Sequence, residues 1–231
     1  MIKNIDFLEG ETLLVDKPLS WTSFDVVNKL RFAITKAVGQ KLKVGHAGTL
    51  DPLATGLLIV CTGKLTKQID LLQAQEKEYI GSFKLGETTH SYDSETEVSE
   101  IFSTAHITPE AIELATKKFL GNIEQIPPMF SALKVQGRTL YQQARQGKVI
   151  ERDPRPVEIK VFEILEIAMP YISFRVVCSK GTYIRSLAYD FGQALESGAH
   201  LASLRRTRSG DFKIEEAKTV EQWIEDIRNP K

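Results

Sequence analysis

The chain has 231 residues, 42% hydrophobic and 26% charged, which is the composition of an ordinary globular protein. Lysine plus arginine equals aspartate plus glutamate at 30 each, so the net charge alone does not indicate a polyanionic partner. No apolar run approaches the roughly 18 residues of a membrane span, and residues 1–6 lack a signal-peptide core. These features exclude a helical membrane protein and predict a cytoplasmic one that buries its own core.

The first predicted strand surrounds Leu14 and breaks at Asp16-Lys17-Pro18. Ser23 is the predicted cap of an amphipathic helix, since apolar residues then recur every three or four positions. Its predicted buried stripe is Phe24, Val27, Leu30, Ile34 and Val38. Residues 41–56 are loop-like, and the apolar run at 57–61 predicts a buried strand.

In the middle of the chain, Tyr79, Gly81, Phe83 and Leu85 alternate with polar residues and predict a half-buried strand. Thr108 and Pro109 predict the start of a helix that Gly121 ends. Residues 125–155 are basic, rich in turn residues and without long apolar periodicity, so they are interpreted as an excursion from the core. A short helix is predicted within it at 139–145.

Two strands are predicted at 157–167 and 171–178, then a helix opened by Gly181-Thr182 and a last helix at 220–227. Strands and helices are interspersed without a regular repeat, which indicates an α+β fold with a mixed sheet. The sequence shows no internal repeat or linker, so a single domain over 1–231 is predicted.

The charges are unevenly distributed along the chain. Residues 87–124 hold eight acids and two bases, net −6, whereas residues 125–160 hold seven bases and three acids, net +4. Arg205, Arg206 and Arg208 form a second basic cluster. This asymmetry suits a basic face that binds phosphates, and a solvated charged surface is the alternative.

The candidate chemical group is Asp51, the single carboxylate of a loop with three glycines and a proline at residues 45–56. Pro52 holds Asp51 in extended or turn geometry, and catalytic groups are often carried by such loops. A structural Asp-Pro turn is the alternative. No nucleotide-binding phosphate loop fits the glycines, whereas Gly45 to Gly48 matches the GxxG loop of KH RNA-binding modules.

The other reactive side chains give weaker signals. Cys61 and Cys178 lie in apolar stretches and are interpreted as reduced core residues. The four histidines form neither an HExxH motif nor a cluster with cysteine, so no zinc site is expected.

The segment from Gly45 to Leu58 resembles the catalytic-aspartate segment of the TruB family, the bacterial tRNA pseudouridine-55 synthases. Further similar segments occur in the family's order: Asp16-Lys17-Pro18, Lys77-Glu78-Tyr79, residues 125–134 with Tyr141 and Ala144-Arg145, residues 179–187, and residues 198–207. Together they cover most of the chain. Two departures stand out: Ser20 replaces the family's usual glycine, and the chain stops soon after Ile227, so no C-terminal PUA domain is expected.

The resemblance implies a pseudouridine synthase fold with a mostly antiparallel sheet, flanked by helices and loops, and an RNA-gripping insertion at about 125–155. It implies isomerisation of uridine 55 in the T-arm loop of tRNA, by base flipping and without a cofactor. It gives Asp51 the role of nucleophile towards C1′ or C6 of the target, which the residues leave open. Arg185 is the expected ion-pair partner of Asp51. Tyr79 is expected to stack on the extruded uracil, and Leu204 to press on the pocket from the other side.

The expected RNA contacts follow from the same resemblance. His46 is similar to the family histidine that contacts the disrupted RNA loop, and a monomer is implied. Candidate phosphate contacts are Lys17, Lys134, Arg145, Arg205 and Arg206. One rival is a non-catalytic RNA-binding module in which Asp51 is only a turn residue. Another rival is a hydrolase or phosphotransferase with an aspartyl nucleophile. The sequence gives it no support, because it shows neither a metal-binding carboxylate cluster nor a phosphate loop.

Overall fold

The computed structural model describes residues 6–135 and 137–229, so most of the N-terminal segment judged to lack a signal peptide lies outside the described residues. The chain divides into two compact units. Unit 1 comprises residues up to Tyr79 together with those from Leu204 onward, and unit 2 runs from Ile80 to Ser203. The single catalytic domain stays a prediction.

Six α-helices and fourteen strands occur in the described ranges. The helices are α1 (Ser23–Val38), α2 (Ile69–Ala74), α3 (Pro109–Lys117), α4 (Leu140–Ala144), α5 (Ile184–Ala194) and α6 (Val220–Arg228). The strands are β1 (Thr12–Lys17), β2 (Val44–His46), β3 (Ala54–Thr62), β4 (Lys77–Leu85), β5 (Glu87–Thr89), β6 (Val98–Ile101), β7 (Gly121–Gln125), β8 (Lys134–Val135), β9 (Arg138–Thr139), β10 (Arg155–Ala168), β11 (Tyr171–Cys178), β12 (Ala199–Ser209), β13 (Phe212–Lys213) and β14 (Lys218–Thr219).

In unit 1 the strand order is β14-β1-β3-β12, with β2 added to β3 and β13 to β12. Strand β3 is antiparallel to β1 and parallel to β12. Leu58 and Val60 of β3 pack with residues of α1 and α6, whereas Leu57 and Ile59 belong to a second apolar cluster. The predicted buried strand is therefore confirmed, although it begins three residues earlier, at Ala54.

Helix α1 is confirmed, but its cap and one member of its stripe were predicted wrongly. Thr22 is the N-cap, and its hydroxyl and the Asp25 carboxylate form a reciprocal capping box. Ser23 lies inside the first turn and directs its hydroxyl at Leu50 instead. Phe24 is 62% exposed, because the buried face of the helix runs through Ser23, Val27 and the later apolar residues.

In unit 2 the strand order is β12-β4-β11-β10-β7, and β5-β6 and β8-β9 form separate pairs. Its core is aromatic: Phe83 of β4 stacks on Phe174 of β11 with ring centroids 4.1 Å apart. The ring centroid of Phe191 of α5 lies 5.7 Å from that of Phe83, so an aromatic side chain of α5 packs on the sheet.

Three predictions in unit 2 need a correction or an addition. Helix α3 ends at Lys117, and Gly121, with φ of 85°, begins β7 instead of ending the helix. Helix α5 begins at Ile184, after the predicted Gly181-Thr182 opening. Strands β5, β6 and β7 were not predicted. The short helix at 139–145 is confirmed as α4, capped by Thr139.

Most strand pairs described are antiparallel, with parallel pairs between β1 and β14 and between β3 and β12. The predicted α+β class with a mixed, mostly antiparallel sheet is therefore confirmed. Among the described residues, no helix has both the length and the apolar character needed to cross a bilayer.

Candidate active site

Asp51 lies at the first position of a tight turn that leads directly into β3. The main-chain oxygen of Asp51 accepts a 3.0 Å hydrogen bond from the Ala54 N–H. Pro52 occupies the second position, where its fixed φ is compatible with a turn. The sequence predicted this loop geometry from the proline, and the structure confirms it.

Ser20, which precedes α1, and Ser23, the first residue of α1, fix the residues on either side of Asp51. The Ser23 hydroxyl accepts from the Leu50 N–H at 2.9 Å and donates to the Leu50 carbonyl at 3.1 Å. The Ser20 N–H donates to the Pro52 carbonyl at 2.8 Å. The main chain at Leu50 and Pro52 is thus held from outside the loop, which limits the movement of Asp51 between them.

Lys17, the last residue of β1, places a buried ammonium beside this turn. Its side chain has no exposed surface, and Nζ donates to the carbonyls of Trp21 at 2.5 Å, Pro18 at 2.9 Å and Pro52 at 3.5 Å. Burial lowers the pKa of Lys17 to about 8, although the Asp51 carboxylate opposes that shift. Since Lys17 Nζ also contacts the carbonyl of Pro52, the residue after Asp51, its positive charge lies beside the Asp51 turn.

Arg206 of β12 is another buried cation of unit 1. It is 1% exposed, and its Nε donates to the Leu57 carbonyl at 2.7 Å while Nη2 donates to the Gly48 carbonyl at 3.1 Å. Gly48 precedes Asp51 by three residues and Leu57 follows it by six. One guanidinium therefore joins the loop before Asp51 to the strand after it.

His46 lies on β2, in the same stretch of chain as the Asp51 loop. Burial lowers the pKa of His46, and the positive charge of Arg206 lowers it further. The imidazole is therefore neutral near pH 7. It can take part in hydrogen bonds or ring stacking, but it does not provide a cation there.

The remaining predicted residues of unit 1 lie on β4 and β12. Tyr79 of β4 is buried. Leu204 of β12 is partly buried and pairs with Ala54, the residue that closes the Asp51 turn. Arg205 grips the Asp16 carboxylate with two hydrogen bonds of 3.0 and 2.7 Å, so its charge is already partnered.

In unit 2, Arg185 lies in the first turn of α5 and is 4% exposed. Its Nε lies 3.6 Å from Oδ2 of Asp93, and Nη1 donates to the Ser91 carbonyl at 3.3 Å. Asp93 was not predicted as a partner of Arg185. The sequence signal for this site is the Ser91-x-Asp93 pattern, which is typical of a polar turn. In the structure the Ser91 hydroxyl donates to Asp93 Oδ1 at 2.6 Å. The pairing of Arg185 with Asp51 stays a prediction.

The two basic residues predicted in the excursion are exposed. Lys134 lies on β8, in a two-stranded hairpin with β9. Arg145 follows α4, and its guanidinium carbon lies 5.4 Å from the centroid of the Tyr141 ring. Both can reach an external anion, and Arg145 stays ionised at any ordinary pH.

Chemically, unit 1 presents an aspartate on a turn whose flanking residues are held by hydrogen bonds, with a buried lysine and arginine nearby. A fixed, ionised carboxylate is suited to nucleophilic attack.

A model of the TruB family pseudouridylate synthase N-terminal domain matches residues 35–184, and a model of the tRNA pseudouridylate synthase B C-terminal domain matches residues 185–228.

The chain belongs to the TruB family. It is therefore an enzyme, an isomerase that forms pseudouridine. Relatives named tRNA pseudouridine synthase B are similar along nearly their whole length. The Flavobacterium johnsoniae protein is 55% identical over 225 residues, covering 96% of this chain and 98% of that protein. The Phocaeicola vulgatus protein is 54% identical, with 96% and 94% covered.

Solved structures support the TruB fold. A chain in the crystal structure of a Cbf5-Nop10-Gar1 complex gives a TM-score of 0.71 at 33% identity, over 95% of this chain and 54% of that one. A chain in the structure of an H/ACA RNP bound to a substrate RNA containing 2′-deoxyuridine gives a TM-score of 0.67 at 30% identity. That match covers 94% of this chain and 53% of the other. The present chain thus spans about half the length of these solved chains. The predicted pseudouridine synthase fold is confirmed.

Within the TruB framework, the geometry argues against two of the predicted phosphate contacts. The cationic groups of Lys17 and Arg206 are enclosed and bind main-chain carbonyls, so neither is presented to an RNA backbone. Both arginine and lysine are common phosphate-binding residues, and the sequence pattern alone did not separate buried from exposed ones.

The structure also describes the turn at Ser20, where φ is 66°, a value that glycine adopts readily.

Proposed function

We propose that the chain converts uridine 55 in the T-arm loop of tRNA to pseudouridine, with Asp51 as the nucleophile. Membership of the TruB family supports the reaction, and the names of the relatives support tRNA as the substrate. The observation that carries the assignment to Asp51 is the set of hydrogen bonds that holds the main chain at Leu50 and Pro52, together with the nearby Lys17 charge.

The reaction rearranges one nucleotide without adding or removing atoms. The bond from ribose C1′ to N1 of uracil breaks, the base turns, and a bond from C1′ to C5 forms. The proton of C5 is lost, and N1 gains one. Because nothing is oxidised, reduced or transferred to another molecule, we propose that no cofactor takes part. Attack of Asp51 at C1′ displaces N1 of the base, and C5 then displaces the carboxylate from C1′. Attack at C6 instead adds the carboxylate to the ring, and its later elimination restores the C5–C6 double bond. Asp51 is released unchanged in both cases, so both fit this balance.

The buried cations suit this role of Asp51. The positive charge of Lys17 favours the ionised carboxylate, and the hydrogen bonds of Arg206 fix the chain before and after it. Groups that are already oriented before the substrate arrives need little reorganisation during the reaction, which is a major source of catalytic rate.

Three further residues complete the proposed pocket. Tyr79 stacks on the extruded uracil, and its hydroxyl assists proton movement. Arg185 binds the Asp51 carboxylate through its guanidinium. Leu204 supplies an apolar wall. A target inside a folded loop must first be flipped out, at a cost of a few kcal/mol, and binding energy from the rest of the RNA offsets that cost.

We assign the RNA contacts to His46 and to exposed cations. His46 contacts the disrupted loop as a neutral ring. Lys134 and Arg145 bind phosphates, and Arg205 contributes to the extent that its pair with Asp16 opens. The folded T-arm is recognised largely by shape. The enzyme acts as a monomer in the cytoplasm, and sedimentation of the free protein and of its tRNA complex checks the stoichiometry.

The proposal is tested with an unmodified tRNA transcript and no added cofactor, by mapping pseudouridine at each position. The intact protein is compared with Asp51→Asn, which keeps the size of the side chain but removes its charge. Asp70→Asn on α2 is the matched control, because Asp70 is an exposed aspartate of the same unit. A transcript with cytidine at position 55 controls for the site.

We expect pseudouridine at position 55 with the intact protein and with Asp70→Asn, and none with Asp51→Asn. The Asp51 variant should still bind the transcript, because phosphate contacts do not involve that carboxylate. Product at another position would refute the assignment of uridine 55, and product from Asp51→Asn at the normal rate would refute the nucleophile.

A further inference from the structure

Helix α5 begins without a side-chain cap of its own. Its N-cap residue, Tyr183, has extended backbone geometry and makes no side-chain cap hydrogen bond, whereas a threonine caps each of α1, α3, α4 and α6. The first N–H groups of a helix need partners from outside the helix, and the start of an uncapped helix is poorly fixed. The start of α5 matters because it carries Arg185.

The carboxamide of Gln125 supplies the missing fixation from a distant part of the sequence. Its Oε1 accepts from the Tyr183 N–H at 2.7 Å, and its Nε2 donates to the Tyr183 carbonyl at 3.0 Å. The same carbonyl accepts the first helical bond, from the Leu187 N–H. Gln125 is 2% exposed, so these bonds are protected from water.

A second bond joins the same two segments on the other side of Arg185. The Ser186 hydroxyl donates to the Ile126 carbonyl at 2.8 Å. Residues 125 and 126 are thereby tied to residues 183 and 186, which flank Arg185 in the first turn. Since the Arg185 side chain is buried beside Asp93, its guanidinium position depends on where this turn is held.

Gln125 is also the point where the basic excursion leaves the sheet. It is the last residue of β7 and pairs with Arg155, the first residue of β10. Within the excursion, the Arg152 guanidinium donates to the Pro127 carbonyl at 3.1 Å. The excursion thus begins and ends beside Gln125, and it carries the exposed cations Lys134 and Arg145.

We propose that Gln125 is a positioning residue, which fixes the first turn of α5, where Arg185 lies, and links that turn to the RNA-gripping excursion. Gln125 itself does not touch the substrate. Its two hydrogen bonds transmit the placement of the excursion to the first turn of α5. This inference rests on the proposed function insofar as Arg185 acts at the target uridine.

The first test is Gln125→Met, which keeps the length and most of the volume but removes both hydrogen bonds. Displacement of a catalytic group by about 1 Å can cost up to about 100-fold in rate. We therefore expect the single-turnover rate of pseudouridine formation to fall between about 10- and 100-fold. The dissociation constant for tRNA should stay within about twofold, because the exposed phosphate contacts are unchanged.

The second variant, Gln125→Glu, keeps the size of the side chain and changes only its hydrogen bonding. It therefore separates the effect of the hydrogen bonds from that of side-chain volume. An ionised carboxylate accepts from the Tyr183 N–H but repels its carbonyl, whereas a protonated carboxyl can accept and donate as the carboxamide does. The ratio of variant to intact rate should therefore rise as pH falls from 8 to 5.5. Glu124, Arg152 and Arg155 are charged residues nearby in the paired strands and the excursion, and they are common to both proteins.

The control is Gln193→Met, at an exposed glutamine on the last turn of the same helix, which should leave rate and affinity unchanged. A Gln125→Met rate within twofold of the intact protein would overturn the proposal, as would a loss confined to tRNA affinity. If Gln125→Met does not fold, the pH-dependent ratio of Gln125→Glu decides instead. Absence of product from the intact protein would refute the proposed function instead. The intact protein is measured first, so that outcome is distinguished from a failure of the Gln125 proposal.

Discussion

Replacing Ser20 by glycine should stabilise the protein, because it relieves the strain of a left-handed backbone conformation. Ser20 has φ of 66°, and the left-handed region costs a residue with a Cβ about 1 to 2 kcal/mol. Glycine loses more backbone entropy on folding, by about 0.5 to 1 kcal/mol. The difference predicts a net gain of about 0.5 to 1 kcal/mol in the free energy of unfolding. The Ser20 N–H that binds the Pro52 carbonyl is retained.

The gain is measurable by urea unfolding and by the thermal midpoint, which should rise about 1 to 4 °C for a chain of this size. Ser20→Ala is the matched control, because it removes the hydroxyl and keeps the Cβ, so its stability should stay within about 0.5 kcal/mol of the intact protein. Pseudouridine formation should be unchanged in both. Equal stability of the glycine and alanine variants would refute backbone strain as the reason.

Three other substitutions test the buried charges. The folded pKa of Lys17, about 8, lies below its unfolded value of 10.5, so the folded state loses a proton that the unfolded state keeps between these pH values. The stability of the intact protein relative to Lys17→Met should therefore increase from pH 8 to 10.5, by up to about 3 kcal/mol, and a flat difference would contradict the assigned pKa. Arg206→Met should cost about 3 to 5 kcal/mol, because it leaves the buried carbonyls of Gly48 and Leu57 without their donor, and chemical denaturation measures it. Burial raises the pKa of Asp190 to about 6, so Asp190→Asn should raise the thermal midpoint at pH 7 more than at pH 4; a smaller gain at pH 7 would argue against that pKa.

Local features of the fold were readable from the sequence where one signal dominated. The apolar run at 57–61 predicted a strand covered on both faces, and the excursion at 125–155 was predicted by its turn residues. Where two neighbouring residues carried the same signal, the sequence did not show which of them fulfils it. Thr22 and Ser23 are both capping residues, and only the position of Leu50 shows that Ser23 has another partner. The strands β5 and β6 are short and largely exposed or polar, so no alternation marked them.

The candidate site was predicted in its centre but not in its surroundings. The glycines and Pro52 drew attention to Asp51, because such spacing restricts the backbone locally. Lys17 and Arg206 were predicted as candidate phosphate contacts, since a sequence gives their charge but not their burial. Their burial results from pairing of β1 and β12 with β3, which brings together residues far apart in the chain. The role of Gln125 was hidden for the same reason.

The separation of these contacts along the chain has a consequence during synthesis. The bond from Arg206 to Gly48 spans 158 residues, and the one to Leu57 spans 149. A ribosome that has made the Asp51 loop, and even the whole of unit 2, has not yet made Arg206. Chain segments fold as they emerge, but contacts between distant segments must wait for both. We therefore expect nascent chains to be inactive until residue 206 has left the exit tunnel, so that the enzyme cannot modify RNA while most of it is still being translated.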